Sequence, residues 1–172
     1  MTVPAEADAV DTLEVLFRAH YARLVRALTL VSGSREAAAD AVQEAFVKAH
    51  LHWPRIRRYD DPVGWIRRIA INRLRDDHRR SIRKQRAVDR LACEQTTVTV
   101  PDDSPDADLR WMLAQLPGQQ RLALALFYVD ELSVAEVAAT MRLSDGAVKF
   151  HLHQGRERLR QILSQRQNAG RR

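Results

Sequence analysis

The sequence predicts an all-α protein made of two small helical domains joined by a flexible acidic linker. Apolar residues recur at helical spacing along most of the 172 residues, and no segment alternates as a half-buried strand would. Residues 91–108 lose that periodicity, contain Thr96, Thr97, Pro101, Ser104 and Pro105, and carry only negative charges, a composition suited to a tether. The expected boundaries are therefore residues 11–90, 91–108 and 109–166. With 45% hydrophobic residues to share between two units, each domain must be compact, because small domains bury a smaller fraction of their surface.

The elements follow in order. Asp11, with Glu14 three residues on, marks a helix start, and Leu13, Leu16, Phe17, Tyr21, Leu24, Val25, Leu28 and Val31 continue at helical spacing. Ser32, Gly33 and Ser34 end it. A second helix should run from Ser34 to about His52, stopped by Trp53 and Pro54. A third begins near Pro62, where proline is tolerated in the first turn, and continues to about Arg90. After the linker, Leu109–Leu116 forms a short helix before Pro117, and Gly118–Tyr128 supplies a longer apolar one. Ser133 and Glu136 make a capping box for Val134–Met141, Arg142 and Leu143 turn the chain, and Ser144 caps the last helix. Ser133–Leu163 thus reads as a helix-turn-helix.

Charge is segregated along the chain. Net charge is −2 over residues 1–54, +8 over 55–90, −5 over 91–108 and +5 over 109–172. Two basic blocks separated by an acidic one suit two nucleic-acid contacts, since each neutralised phosphate releases a counterion; ordinary solvated helix faces are the alternative. The single cysteine, Cys93, cannot form an internal disulfide, and no apolar run is long enough to span a bilayer. An acidic segment, Met1–Asp11, without the basic-then-apolar layout of a signal peptide leads us to expect a cytoplasmic protein.

Three helix faces carry chemistry. On the second helix Ala38, Val42, Ala45, Phe46 and Ala49 gather as core, and Asp40, Gln43, Glu44 and Val47, with Glu36, gather opposite. An acidic face with an apolar centre suits a basic protein partner, although a solvated face with one stray valine has the same pattern. On the third helix Ile66, Ile69, Ala70 and Leu74 are the buried side. Trp65, Arg68, Asn72, Asp76 and Arg79 form an adjoining stripe with Arg75 beside it, and the preceding loop adds Trp53, Arg55, Arg57, Arg58 and Tyr59. A ring, a guanidinium and an amide on one stripe can stack an unpaired base, hold its phosphate and bond its edge. Trp65 by itself fits a core anchor equally well. On the last helix Val148, Leu152, Gly155, Leu159 and Ile162 form the packed seam, with Gly155 permitting close approach of a neighbouring helix. Lys149, Phe150, His153 and Gln154 face outward, where Lys can bond guanine, Gln adenine, and Phe can touch a thymine methyl.

Catalytic and metal chemistry find no support in the sequence. His50 and His52, like His151 and His153, stand two residues apart and point about 200 degrees away from each other on a helix, so neither pair can share an ion. There is no nucleophile elbow, no phosphate-binding glycine loop and no paired-carboxylate site. We therefore expect no enzyme, no metal and no cofactor.

Asp40-Ala41-Val42-Gln43-Glu44-Ala45-Phe46-Val47-Lys48 resembles the region 2 signature of the extracytoplasmic-function (ECF) sigma factors of bacterial RNA polymerase. Pro62–Asn72, with Asp76, Arg79 and Arg80, is similar to that family's promoter-melting segment. Leu116-Pro117, Gln120-Arg121 and Ser133–Leu163 resemble its region 4. The resemblance covers about residues 12–165 and implies a sigma region 2 bundle followed by a region 4 helix-turn-helix. It implies that Asp40, Gln43, Glu44 and Val47 dock on the β′ coiled coil of core polymerase. It also implies that Arg58, Tyr59, Trp65, Arg68, Asn72, Arg75 and Arg79 capture the minus 10 strand, and that Lys149, Phe150, His153, Gln154 and Arg156 read the minus 35 duplex. Region 4 would further touch the β flap, and an anti-sigma factor is an expected partner. This sequence departs from the family at His50, where tryptophan is common, and at Phe150, His151 and Gln154, so the minus 35 sequence cannot be borrowed from other members. The competing reading is a stand-alone helix-turn-helix regulator with an N-terminal sensing or dimerisation domain, which leaves the basic third helix and the acidic linker without a role.

Overall fold

The computed structural model describes the backbone of residues 5–89 and 106–169 and the side chains of residues 12–84 and 106–168. Every regular element among the described residues is an α-helix: α1 Ala5–Ser32, α2 Arg35–Leu51, α3 Trp53–Ile56, α4 Pro62–Asp89, α5 Ala107–Ala114, α6 Gly118–Tyr128, α7 Val134–Met141 and α8 Asp145–Ala169. Residues 90–105 of the expected linker lie outside the described residues.

Local signals explain most boundaries. Gly33 turns the chain between α1 and α2 at φ 78°, in the left-handed region where a Cβ is disfavoured. Ser34 then caps α2 by accepting a hydrogen bond from the Ala37 amide at 3.2 Å. At the start of α4 the Asp61 carboxylate accepts from the Gly64 amide at 2.7 Å, and a Cβ at Gly64 would collide with that carboxylate. Ser133 and Glu136 form the expected capping box. Three boundaries differ from the sequence reading. Helix α1 already runs from Ala5, so Asp11 and Glu14 are not its start; Ala5, Ala7 and Ala9 are strong helix formers placed just after Pro4. The supposed loop after α2 contains α3, because Pro54 sits in its first turn, and Trp53 and Ile56 are buried. Asp106–Asp108, read as linker, lie at the start of α5, with Asp106 at the N-cap position and Ala107 and Asp108 in the first turn.

Helices α1 and α2 pack as a hairpin, and α4 lies across α2. The packing of the second half is built on α6, which contacts α1, α7 and α8. Gly155 of α8 stands where a Cβ would meet Leu124 Cδ1 at 2.8 Å, so the expected close approach is real and its neighbour is α6. The two halves do not keep separate cores: Leu24, Leu28, Ile66 and Ile71 belong to one connected buried cluster with Leu113, Leu122, Leu126 and Val137. The reason lies in α1. From Leu24 to Leu30 all residues except Arg26 are buried, and a helix apolar nearly all round must be covered on more than one side. Helix α2 covers one side, and α5 and α6 cover another.

The α7 cap is open to a direct stability test. Ser133 accepts from the Glu136 amide at 3.2 Å, and Glu136 accepts from the Ser133 amide at 2.8 Å. The Ser133 hydroxyl and then its amide hold the Glu136 carboxyl below the usual carboxylate range. An acid depressed on folding lends stability above its unfolded pKa and loses it as pH falls through the folded pKa. Ser133→Ala should cost about 1 kcal/mol at neutral pH, and the gap between the thermal melts of the two proteins should narrow as pH falls through the lowered folded pKa of Glu136, leaving the share of the Glu136 amide bond to the Ser133 hydroxyl, which does not titrate. A gap unchanged by acidification would remove Glu136 from the cap energetics.

Candidate functional site

The outer face of α2 holds Asp40, Gln43, Glu44 and Val47 together, as their spacing requires. Asp40 and Gln43 are exposed, and Val47 is 59% exposed. Glu44 bonds Lys48 and Arg73, each at 2.8 Å, and the Lys48 hydrogen bond leads the effects that hold its carboxyl below the usual range. The Gln43 amide donates to the Tyr21 hydroxyl at 3.3 Å. Tyr21 stacks on Phe17 at 4.6 Å, and Phe17 meets Phe46 edge-on at 5.0 Å. The face is therefore wider than sequence reasoning gave it. Phe17 and Tyr21 were assigned to the apolar stripe of α1, and the exposed Leu51, one turn beyond Val47, was passed over although its spacing from Val47 was a readable signal.

On α4 the buried side is Ile66, Ala70 and Leu74, with Ile69 half-buried. Asn72, Arg75 and Arg79 are exposed, and Arg68 and Trp65 are half-buried, Trp65 packing one side on the core. Trp65 thus serves as an anchor while keeping part of its ring in solvent. In the preceding segment Arg58 is exposed and Tyr59 is half-buried against the core. Trp53, read as part of the basic loop, is buried at 4% exposure, with its indole Nε1 unbonded. Arg75, two turns beyond Arg68 on nearly the same side of α4, is at the edge of that stripe. It lines a groove of about 710 Å³ between α1, α4 and α6, with Leu28, Ile71, Leu74 and Arg121 among the walls.

On α8, Val148, Leu152 and Gly155 are buried in the seam, and Lys149, Phe150, His153 and Gln154 are exposed, Phe150 at 58%. Arg156 is not brought to them. Its guanidinium lies 5.9 Å from the Phe127 ring centroid and 5.6 Å from that of Tyr128, and its Nε is buried without a partner. A cation held over two rings of α6 packs α8 in place.

Sequence reasoning also missed Arg67 and Asp130. They form a salt bridge of 2.5 Å with side chains 5% and 1% exposed, although each stands among solvated charges in the sequence. Burial pushes the Asp130 carboxyl above the usual range, against the opposing pull of Arg67. Burial likewise lowers the pKa of nearby His20.

Comparison with known proteins places this geometry in a family. Residues 16–88 match the sigma-70 region 2 family and residues 107–159 match sigma-70 region 4. The RNA polymerase sigma factor CarQ of Myxococcus xanthus is 31% identical, over 91% of this chain and 92% of its own. The ECF sigma factor SigM of Mycobacterium tuberculosis is 31% identical over 86% of this chain and 75% of its own. SigE of Mycolicibacterium smegmatis is 29% identical, but the match spans only 63% of that longer protein. Among solved structures, sigma factor RpoE bound to the anti-sigma factor NepR from Bartonella quintana has the same fold, with a TM-score of 0.73 over 88% of this chain and 96% of that one at 20% identity. CnrH bound to the cytosolic domain of CnrY gives a TM-score of 0.64 over 92% and 94% at 25% identity. The protein class is that of the sigma-70 RNA polymerase sigma factors. Within it, this chain belongs to the ECF sigma factors, which carry regions 2 and 4.

Arg156 and Lys149 offer a separation of packing from recognition. Arg156→Ala should lower stability by about 0.5–1 kcal/mol through the lost ring contacts, whereas Lys149→Ala, at an exposed position, should stay within about 0.5 kcal/mol of wild type. Chemical denaturation read by circular dichroism distinguishes them. An Arg156→Ala chain as stable as Lys149→Ala would return Arg156 to the outward face.

Proposed function

We propose that this chain directs core RNA polymerase to specific promoters by using three faces for three contacts. The α2 face of Asp40, Gln43, Glu44 and Val47, extended by Phe17, Tyr21 and Leu51, docks on the basic β′ coiled coil. The stripe of Trp65, Arg68 and Asn72, with Arg58, Tyr59, Arg75 and Arg79, captures the unpaired minus 10 strand. Lys149, Phe150, His153 and Gln154 read the minus 35 duplex, and Arg156 holds α8 for that task. Region 4 also meets the β flap. No catalytic step belongs to the chain itself; it works as an initiation factor in the cytoplasm and joins the nucleoid when bound to polymerase. Two solved neighbours are in complexes, RpoE with the anti-sigma factor NepR and CnrH with the cytosolic domain of CnrY, and an anti-sigma factor for this chain is part of the same proposal.

The observation that carries the reading is the chemical contrast between the faces on one frame. A mixed carboxylate and apolar face on α2 repels DNA and attracts a basic protein. A half-exposed indole beside a guanidinium and an amide on α4 suits an extruded base. A regulator that binds only duplex would need the third face alone.

Two experiments test these assignments separately. Asp40→Lys combined with Val47→Ala changes two exposed residues and should abolish co-purification with core polymerase while leaving the helical circular dichroism signal intact. Unchanged co-purification would sink the α2 assignment. Holoenzyme carrying Arg68→Ala and Asn72→Ala should still footprint the minus 35 region, lose permanganate reactivity of thymines near minus 10, and regain transcription on a template opened there in advance. Normal melting of duplex promoter by this double mutant would remove α4 as the strand-capturing element.

A further inference from the structure

The groove between α1, α4 and α6 has an apolar end and a cationic end. Its floor is made by Leu28, Ile71, Leu74 and Leu122, all buried in the core. Each wall changes character along its helix. On α4 the lining passes from Ile71 and Leu74 to Arg75, His78 and Ser81; on α1 it passes from Leu28 and Val31 to Ser32; on α6 it passes from Leu122 back to Gln119 and Gly118. The polar parts fall at one end. Arg121 donates to the Val31 carbonyl at 3.0 Å, which sets the start of α6 against the end of α1. Glu44 of α2 pairs with Arg73 at 2.8 Å, and Ala37, two turns earlier on α2, shares the groove with His78, so α4 runs toward that same end.

Charge at the polar end is uncompensated. The lining carboxylate, Asp77, is taken by Arg73 at 2.8 Å and by Arg80 at 3.6 Å. Arg121 rests on the carbonyls of Val31, Leu116 and Ala114 rather than on an acid, and its Nε is buried without a partner. Burial lowers the Arg121 pKa, as it does for a cation with no counter-charge beside it. Arg75 and His78 stand exposed at the rim, and neither has an acidic partner among the described residues. Helix α6 opens after Pro117 with no side-chain cap, so its first-turn amides and the positive end of its dipole adjoin Gly118 and Gln119 in the groove wall. No aromatic ring is among the lining residues, which leaves a flat nucleobase nothing to stack on.

We propose that this groove binds a small amphipathic anion, an aliphatic monocarboxylate whose chain lies over Leu28, Ile71, Leu74 and Leu122 and whose head meets Arg75 and the first turn of α6. The groove volume of about 710 Å³ lies within the range of small-molecule sites. Methylenes leaving water supply the attraction, and the charged head fixes the orientation. Binding goes beyond the sigma-factor reading and does not depend on it. One consequence does rest on that reading: Arg75 borders the strand-capturing stripe, so a carboxylate held there competes with a nucleic-acid phosphate for one guanidinium.

Decanoate, kept below its micelle-forming concentration, is the probe. Titration calorimetry on the full chain should show saturable one-to-one binding, and acetate, which has the head without the chain, should show none. Arg75→Ala should weaken decanoate binding about tenfold through loss of one charge-assisted contact. Ser81→Phe, which puts a ring into the mouth of the groove from an exposed position, should abolish it. Both variants should keep the helical circular dichroism signal. Wild-type affinity in both variants overturns the groove as the site, and acetate binding as tightly as decanoate overturns the amphipathic ligand. Chain loaded with decanoate before core polymerase is added should need a higher concentration for half-maximal transcription, and the Ser81→Phe chain should be indifferent to decanoate. An unchanged requirement for wild type overturns the competition at Arg75. Wild-type chain that starts no transcription without decanoate would instead defeat the sigma-factor reading, while the calorimetry still reports on the groove.

Discussion

Between Leu24 and Leu30, α1 has almost no side left for water, and both halves of the molecule are arranged around that constraint. Leu24, Val25, Leu28 and Leu30 each contribute roughly 1.5–3 kcal/mol on full burial. One neighbouring helix covers only a stripe, so the segment recruits α2 on one side and α5 and α6 on another. The exposed ion pairs at the rim, such as Arg26 with Asp106 at 62% and 35% exposure, are worth about 0–1 kcal/mol each. Apolar burial therefore supplies the attraction between the halves. The Arg67–Asp130 pair adds little net attraction, because desolvation offsets its Coulomb gain, yet it strongly penalises any packing that leaves either partner alone. It sets register.

The same division of labour appears on the surface. Apolar side chains that lie outside the core are placed within chemically distinct settings: Val47 and Leu51 near carboxylates on α2, Phe150 beside Lys149 on α8. Single exposed apolar residues need no explanation. What gives these weight is their company, because a charged rim orients a partner that the apolar centre then binds. Glu44 shows how the frame supports the rim. Lys48 and Arg73 hold it from two helices, which restrains its rotamers before any partner arrives and reduces the ordering cost of association.

How much of this was legible in the sequence depends on the range of the interaction. Periodicity and caps act within a few residues, so α6 and α7 run as the apolar pattern and the Ser133–Glu136 box indicate, and Gly155 was readable as a packing glycine before its neighbour Leu124 was known. The α2 face was legible for the same reason. Long-range pairing was not. Arg67 is one arginine in a basic run, and nothing local distinguishes it from Arg68; only the packing of α4 on the second half buries it against Asp130, 63 positions away. Arg156 failed in a similar way. It falls on the Lys149 face by helical angle, but two turns along the helix that direction meets Phe127 and Tyr128 of α6. That the two domains share one connected buried cluster was not legible, since nothing local to α1 says which helices cover Leu24, Leu28 and Leu30.

The turn between α7 and α8 shows how local strain is offset by the elements it joins. Arg142 ends α7 in left-handed backbone, φ 56° and ψ 47°, where a glycine would be at ease and an arginine costs about 1–2 kcal/mol. Capping at both ends opposes that cost: Ser133 and Glu136 fix the start of α7, and Ser144 accepts from the Ala147 amide at 3.2 Å at the start of α8. Each serine cap is worth about 1 kcal/mol, enough together to hold the turn. The consequence reaches the exposed side of α8. With Val148, Leu152 and Gly155 seated in the seam, α8 is held in one rotation that turns Lys149, Phe150, His153 and Gln154 outward. On the proposed reading of α8 as the duplex-contacting helix, packing on the opposite face sets which side chains are offered to DNA, and a change in the seam would alter promoter reading without replacing any of the outward residues.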